Sequence, residues 1–181
     1  MKKATRILAV ILCLMMCMTM FAACGDNGSD GSSGTNKLPT DLRMISMRIQ
    51  SKFNYEDASF IYSADEYSDD TLINLYGIED EAVLAAINDF VITTPPTNGS
   101  KTFAVILFNE DVDAEIIEST EQMIKDVYIA SLITTNAIYD PAESALAEKA
   151  TFVTYDNALV LVIYDTDGNT AVVDELNAIA E

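Results

Sequence analysis

Histidine and tryptophan are absent from this 181-residue sequence, proline occurs four times and cysteine three times. Without histidine there is no Ser-His-Asp triad, no Cys-His pair and no imidazole ligand for zinc. No serine opens an S-x-x-K motif and no glycine-rich phosphate loop is present. These absences disfavour the penicillin-recognising serine enzymes and the P-loop nucleotidases. Basic residues are scarce too: 10 Lys plus Arg stand against 29 Asp plus Glu, a formal net charge of −19. A field of that sign disfavours nucleic acid and anionic headgroups and favours cations or basic partners, although net charge speaks more to solubility than to chemistry.

The few basic residues are unevenly placed. Lys2, Lys3 and Arg6 precede an uncharged stretch from Ile7 to Phe21 in which only Thr19 is plainly polar. A basic start, an apolar stretch and small residues before a cleavage point are the requirements of a secretory signal. The stretch is short for a permanent span, which needs about 20 apolar residues. Phe21-Ala22-Ala23-Cys24 closes it and resembles the lipobox of bacterial lipoproteins, with phenylalanine where leucine is usual. The resemblance implies diacylglyceryl attachment to the Cys24 sulfur and cleavage before Cys24. The mature chain is then expected on the extracytoplasmic face of the cell membrane, held by acyl chains of the palmitate type. Several acyl chains make such an anchor stable where a single chain holds marginally. The alternative is a secreted protein with a free Cys24 thiol. Cys13 and Cys17 fall inside the signal, so the mature chain keeps Cys24 alone and forms no internal disulfide. Loss of residues 1–23 leaves seven basic against 29 acidic residues, a side-chain charge of −22.

Residues 25–36 read GDNGSDGSSGTN, with no aliphatic or aromatic side chain, the composition of a flexible tether with a reach on the order of 20 Å. The organisation expected is therefore a signal over 1–23, a lipid-anchored tether over 24–36 and a single domain over 37–181, long enough for its own core.

Within that domain, Pro39-Thr40-Asp41 signals a helix start, and Leu42, Ile45, Ile49 and Phe53 follow at helical spacing. Asp69 to Tyr76 reads as a second helix stopped by Gly77. The segment between them, Ala58 to Tyr62, has no clear assignment. Residues 82–92, AVLAAINDFVI, lean helical by local pattern and end like a buried strand. Thr102 to Phe108 is the clearest buried strand, and its unbroken apolar run implies cover on both faces or a central position. Val112 to about Thr134 carries one broad apolar stripe, the signature of an amphipathic helix. Pro141 starts a short helical turn, and Thr151–Tyr155 with Ala158–Tyr164 reads as a hairpin across Asp156-Asn157, or across a longer turn since glycine is missing there. Asn169 or Thr170 can cap a last helix bearing Val172, Val173, Leu176 and Ile179.

Taking 82–92 as a strand gives the sheet a fourth member and makes the order symmetric. The fold class expected is α+β, a two-layer sandwich with an antiparallel sheet and a ββαββα-like core preceded by N-terminal helices. Leu75-Tyr76-Gly77-Ile78 followed by acids, the strand 102–108, Tyr139-Asp140-Pro141 and the hairpin Phe152 to Ile163 together resemble an uncharacterised bacterial lipoprotein family, domain of unknown function 4358. The resemblance covers roughly residues 40–181. The Asp156-Asn157 turn departs from the glycine expected there. The family brings no assigned activity, so it implies no catalytic or binding residue.

Three clusters invite a chemical reading. Asp165-Thr166-Asp167-Gly168-Asn169 resembles part of a calcium loop, with Asp165, Asp167 and Asn169 as oxygen donors. The register of an EF-hand fails: with Gly168 sixth, the first ligand is Ile163, and with Asp165 first, the twelfth is Leu176. A strand-to-helix turn with an Asx cap explains the same residues, so no metal and no cofactor is expected. Asp65, Glu66, Asp69 and Asp70 suit a helix N-terminus favoured by the macrodipole. Tyr55, Phe60, Tyr62 and Tyr67 interleave with acids, either as core or as a surface for a basic or glycan partner. Two function classes follow. The first is a non-catalytic cell-envelope module, held to the membrane through the lipid on Cys24, that binds an unknown protein or cell-wall partner. The alternative is a carboxylate-based or cation-dependent enzyme acting on envelope glycans.

Overall fold

The computed structural model describes residues 36–55, 58–95, 99–165 and 168–180. The chain opens with α1 (Leu42–Lys52), whose N-terminus is capped by the Asp41 carboxylate accepting from the Met44 N–H at 3.0 Å. Leu42, Ile45 and Ile49 are buried on one face, as the spacing requires. Strand β1 (Ser59–Tyr62) follows, then α2 (Ser68–Tyr76). Gly77 ends α2 in the left-handed conformation, φ 69°, and the N–H groups of Gly77 and Ile78 close the helix on the Ile73 and Leu72 carbonyls. A Cβ at residue 77 would lie 2.4 Å from Cγ2 of Val127, so the position needs glycine for space as well as for φ.

The ambiguous segment 82–92 is divided. Residues 81–86 form the short helix α3 (Glu81–Ala86), and β2 (Ile87–Thr94) begins immediately after it. The strand reading is corrected for 82–86: the Asp80 carboxylate accepts from the N–H groups of Ala82 and Val83, at 2.8 and 3.3 Å, and this cap holds the first turn helical. From Ile87 onward β2 pairs antiparallel with β3 (Thr102–Phe108) and, on its other edge, with β1. The register slips between Ile87 and Asp89, a bulge centred on Asn88.

Helix α4 (Ala114–Ile124) runs through a π turn at Lys125–Ile129 into α5 (Ala130–Tyr139) without a break. The amphipathic helix expected over 112–134 is thus present, beginning two residues later, ending five residues later at Tyr139 and containing one wide turn. Asp140 caps α6 (Pro141–Ala147), in which proline takes the first position. The hairpin follows the expected pairing, β4 (Thr151–Tyr155) against β5 (Ala158–Ile163) with Asp156-Asn157 as a two-residue turn, and α7 (Asn169–Asn177) closes the fold.

The five strands form one antiparallel sheet in the order β1-β2-β3-β5-β4. The architecture is α+β, and β2β3, α4–α6, β4β5 and α7 give the ββαββα core with helices before it. Helices cover both faces of the sheet. Phe103, Val105 and Leu107 face α1 and α7, whereas Ala104, Ile106 and Phe108 face α2, α3 and the α4–α6 region, so the two-layer sandwich gains a further layer. That double cover is why all seven residues of β3 are buried. At about 1.5–3 kcal/mol for each large apolar side chain removed from water, β3 is the energetic centre of the domain.

Candidate functional site

The sheet register brings one set of chain ends together. Tyr62 pairs with Val91, Ile87 with Phe108, Leu107 with Ala158, and Ala158 with Tyr155 across the hairpin turn. The end of β1, the bulge of β2, the end of β3 and the Asp156-Asn157 turn therefore lie at the same end of the sheet. The chain also arrives at this end: the Asp156 N–H donates to the Asn36 carbonyl at 3.0 Å. The Asn157 amide brackets Leu38, accepting from its N–H at 3.0 Å and donating to its carbonyl at 2.9 Å.

Two clefts open there among the described residues, and the exposed bulge residue Asn88 borders both. The larger, about 520 Å³, lies between α2, α3 and the bulged start of β2. Leu72, Ile73, Leu84, Ile87 and Phe90 supply its apolar lining, and Ser63, Asp69, Asn88 and Asp89 its polar groups. The volume falls in the range of small-ligand sites, about 300–1,000 Å³, and a largely apolar wall with a few placed polar groups is their usual chemistry. The smaller cleft, about 360 Å³, is lined by the arriving segment Lys37–Thr40 together with Asn109, Glu110 and Asn157.

Asp89 is held in a fixed attitude. Its Oδ1 accepts from the Ser63 hydroxyl and from the Phe90 N–H, the latter at 2.8 Å, which leaves Oδ2 without a protein donor among the described residues. Ser63 is placed in turn by its N–H on the Phe90 carbonyl, 3.1 Å. The bulge is braced from beneath, where Asn109 donates from its N–H to Ala86 O at 2.9 Å and from its amide to Ala85 O at 3.1 Å. Asp69 stands exposed in the first turn of α2. Among the described residues no lysine or arginine lines the cleft, and the ion pairs lie elsewhere, at Glu175 with Arg48 and Lys52 and at Glu121 with Lys125.

The residues singled out from sequence fare differently. Cys24 and Asp167 lie outside the described residues. Asn169 is buried and its amide is committed to the fold: the oxygen accepts from the Tyr164 and Asp165 N–H groups at 2.9 and 3.4 Å, and the nitrogen faces Lys149 O, Thr151 Oγ1 and Val162 O. It is a clamp between strand ends and neither a cation ligand nor a cap of α7, whose N-cap is Gly168. Among the described residues no group of three or more Asp, Glu or Cys is arranged to hold a metal ion. Of the four acids read as a helix N-terminus, Asp69 and Asp70 occupy the first turn of α2, whereas Asp65 and Glu66 precede the helix and Asp65 accepts from the Tyr62 N–H at 2.9 Å. Of the four aromatics in the acidic stretch, Tyr55 is buried, Phe60 and Tyr62 pack against the same core cluster, and Tyr67 alone is exposed. Burial pushes the Tyr55 hydroxyl far above the usual phenol range, with Tyr164 adding to the effect. Neither Asp69, exposed, nor Asp89, with two donors on one oxygen, sits in the enclosed apolar setting that a glycosidase acid occupies.

Sequence reasoning missed Ser63, Asn88, Asp89 and the Asn157 anchor. The signal for the first group was the Asn88-Asp89 pair, which interrupts an otherwise apolar run where a continuous buried strand has no use for it. No protein-family model, curated protein or solved structure matches the chain.

Proposed function

We propose that this chain is a lipid-anchored, extracytoplasmic binding module of the cell envelope, non-catalytic, with the cleft of α2, α3 and β2 as its ligand site. The observation that carries the reading is the 520 Å³ cleft, mixed apolar and polar in lining and furnished with an oriented carboxylate. Anchoring rests on the sequence alone, on the signal over 1–23 and the lipobox ending at Cys24. The two parts fit together, because residues 36–40, the first described after the tether, lie at the sheet end that bears the cleft. A tether of about 20 Å would keep that end near the membrane surface.

Membership of the domain of unknown function 4358 family is part of the proposal. The residues behind the resemblance have structural tasks here: Tyr76 is buried, Gly77 turns the chain at positive φ, and Asp140-Pro141 starts α6.

The test is a photo-crosslinking side chain placed at Asn88 in the living cell, with the same group at exposed Asp174 of α7 as the control. An envelope component captured at 88 and not at 174 supports the reading. Equal capture at both positions, or activity on wall glycans abolished by Asp89→Asn, refutes it.

A further inference from the structure

We propose that the cleft takes a primary ammonium carried on an aliphatic arm, of the kind presented by a lysine-like side chain. The inference rests on the reading of this cleft as a ligand site and assigns its ligand class. Three observations carry it. The charged groups of the lining, Asp69 and Asp89, are both acidic, and among the described residues no lysine or arginine forms an ion pair with either. Beside the neutral polar Ser63 and Asn88, the wall carries Leu72, Ile73, Leu84, Ile87 and Phe90, an aliphatic and aromatic surface that suits methylenes. Asp89 offers one oxygen, since Oδ1 is already occupied by the Ser63 hydroxyl and the Phe90 N–H.

The third observation selects among cations. A guanidinium fork binds best to a carboxylate with both oxygens open, whereas an ammonium is a compact point charge that needs one. At Asp89 only Oδ2 is open among the described residues, so this carboxylate matches the ammonium better than the fork, while exposed Asp69 adds negative charge to the lining. Ser63 is then a positioning residue, whose hydroxyl occupies Oδ1 and so leaves Oδ2 as the open oxygen of Asp89. The bulge at Asn88 interrupts the β2–β3 register beside Asp89, at the position where β2 lines the cleft with α2 and α3.

The experiment follows the amide resonances of residues 84–90 in the full chain, kept in detergent, during titration with n-pentylammonium, n-pentylguanidinium, n-pentanol and pentanoate. Pentylammonium is expected to shift them and to bind at least about tenfold more tightly than pentanol, the scale of one charge-assisted hydrogen bond. Pentylguanidinium should bind more weakly than pentylammonium, and pentanoate should not bind. Asp89→Asn should lower pentylammonium affinity by about tenfold, and Ser63→Ala should narrow the preference over pentylguanidinium, with unchanged β3 resonances as the control for folding. Cadaverine and Nα-acetyl-lysine methylamide then separate a free diamine from a peptide side chain, and the tighter of the two names the source. Equal binding of pentanol and pentylammonium overturns the ammonium assignment and leaves the cleft a binding site. No shift with any probe overturns both.

Discussion

The side-chain amide of Asn157 holds the backbone of Leu38 by both of its hydrogen-bonding groups, 119 residues apart in sequence. Asparagine sits in a hairpin turn where glycine is the usual choice, and the tertiary anchor accounts for it. The turn residue is selected for what it grips. The grip also fixes the segment Lys37–Thr40 beside the hairpin turn and the smaller cleft.

Asn157→Gly therefore separates turn preference from anchoring. The substitution suits the two-residue turn and still should destabilise the domain by about 1–3 kcal/mol, because the buried Leu38 N–H and carbonyl lose their partners. Urea unfolding checks it. A variant as stable as the parent would show that the anchor contributes nothing.

Gly77→Ala meets two obstacles, a φ of 69° and the side chain of Val127 at 2.4 Å. The left-handed conformation alone costs about 1–2 kcal/mol, and the collision adds to it. Val127→Ala on its own should be mild, since Val127 is partly exposed in the π turn. In the double variant it should recover the collision and not the φ penalty, an interaction that a double-mutant cycle of denaturation free energies reads directly.

Tyr76 and Tyr128 lie with ring centroids 5.0 Å apart, yet their hydroxyls differ. That of Tyr128 meets Thr102 Oγ1 at 2.7 Å, and that of Tyr76 is buried with no partner among the described residues. Burial pushes the Tyr76 hydroxyl well above the usual phenol range. Tyr76→Phe should then be neutral or stabilising, while Tyr128→Phe should cost about 1 kcal/mol by leaving Thr102 unpaired. Thermal melts of the two variants, compared side by side, check the contrast.

Glu175 of α7 accepts hydrogen bonds from Lys52 and Arg48 of α1, and these hold its carboxyl below the usual glutamate range. A carboxyl that binds its proton less readily when folded contributes stability above its unfolded pKa, near 4.3, and loses it as pH falls through the folded value. Glu175→Gln should therefore separate from the parent above about pH 5 and converge with it at lower pH, as read from denaturation midpoints across pH 3–7. Added salt should shrink the difference, since Arg48 and Lys52 are about half exposed.

Much of the frame was legible from local pattern. Leu42, Ile45 and Ile49 marked α1, the run 102–108 marked the central strand, and the stripe from Ile116 to Tyr128 marked the long helix. What resisted reading were features set by distant partners. The switch from helix to strand at Ile87 depends on the Asp80 cap and on pairing with Phe108, and neither leaves a periodic trace within 82–92. The wide turn at Lys125–Ile129 carries the side chain that Gly77 must accommodate, a requirement invisible from either segment alone. Asp165, Asp167 and Asn169 drew notice by composition, although Asn169 closes the strand ends through its amide. The cleft went unread because Ser63 and Asp89 meet only once β1 and β2 have paired.

The central claim is the anchored address, and one measurement addresses it most directly. Cells expressing the chain with its signal are grown with labelled palmitate, and the protein is followed through membrane and soluble fractions beside a Cys24→Ser variant. The account predicts label and membrane retention in the parent, with both lost in the variant. An unlabelled parent, or a Cys24→Ser protein that stays on the membrane, would contradict it.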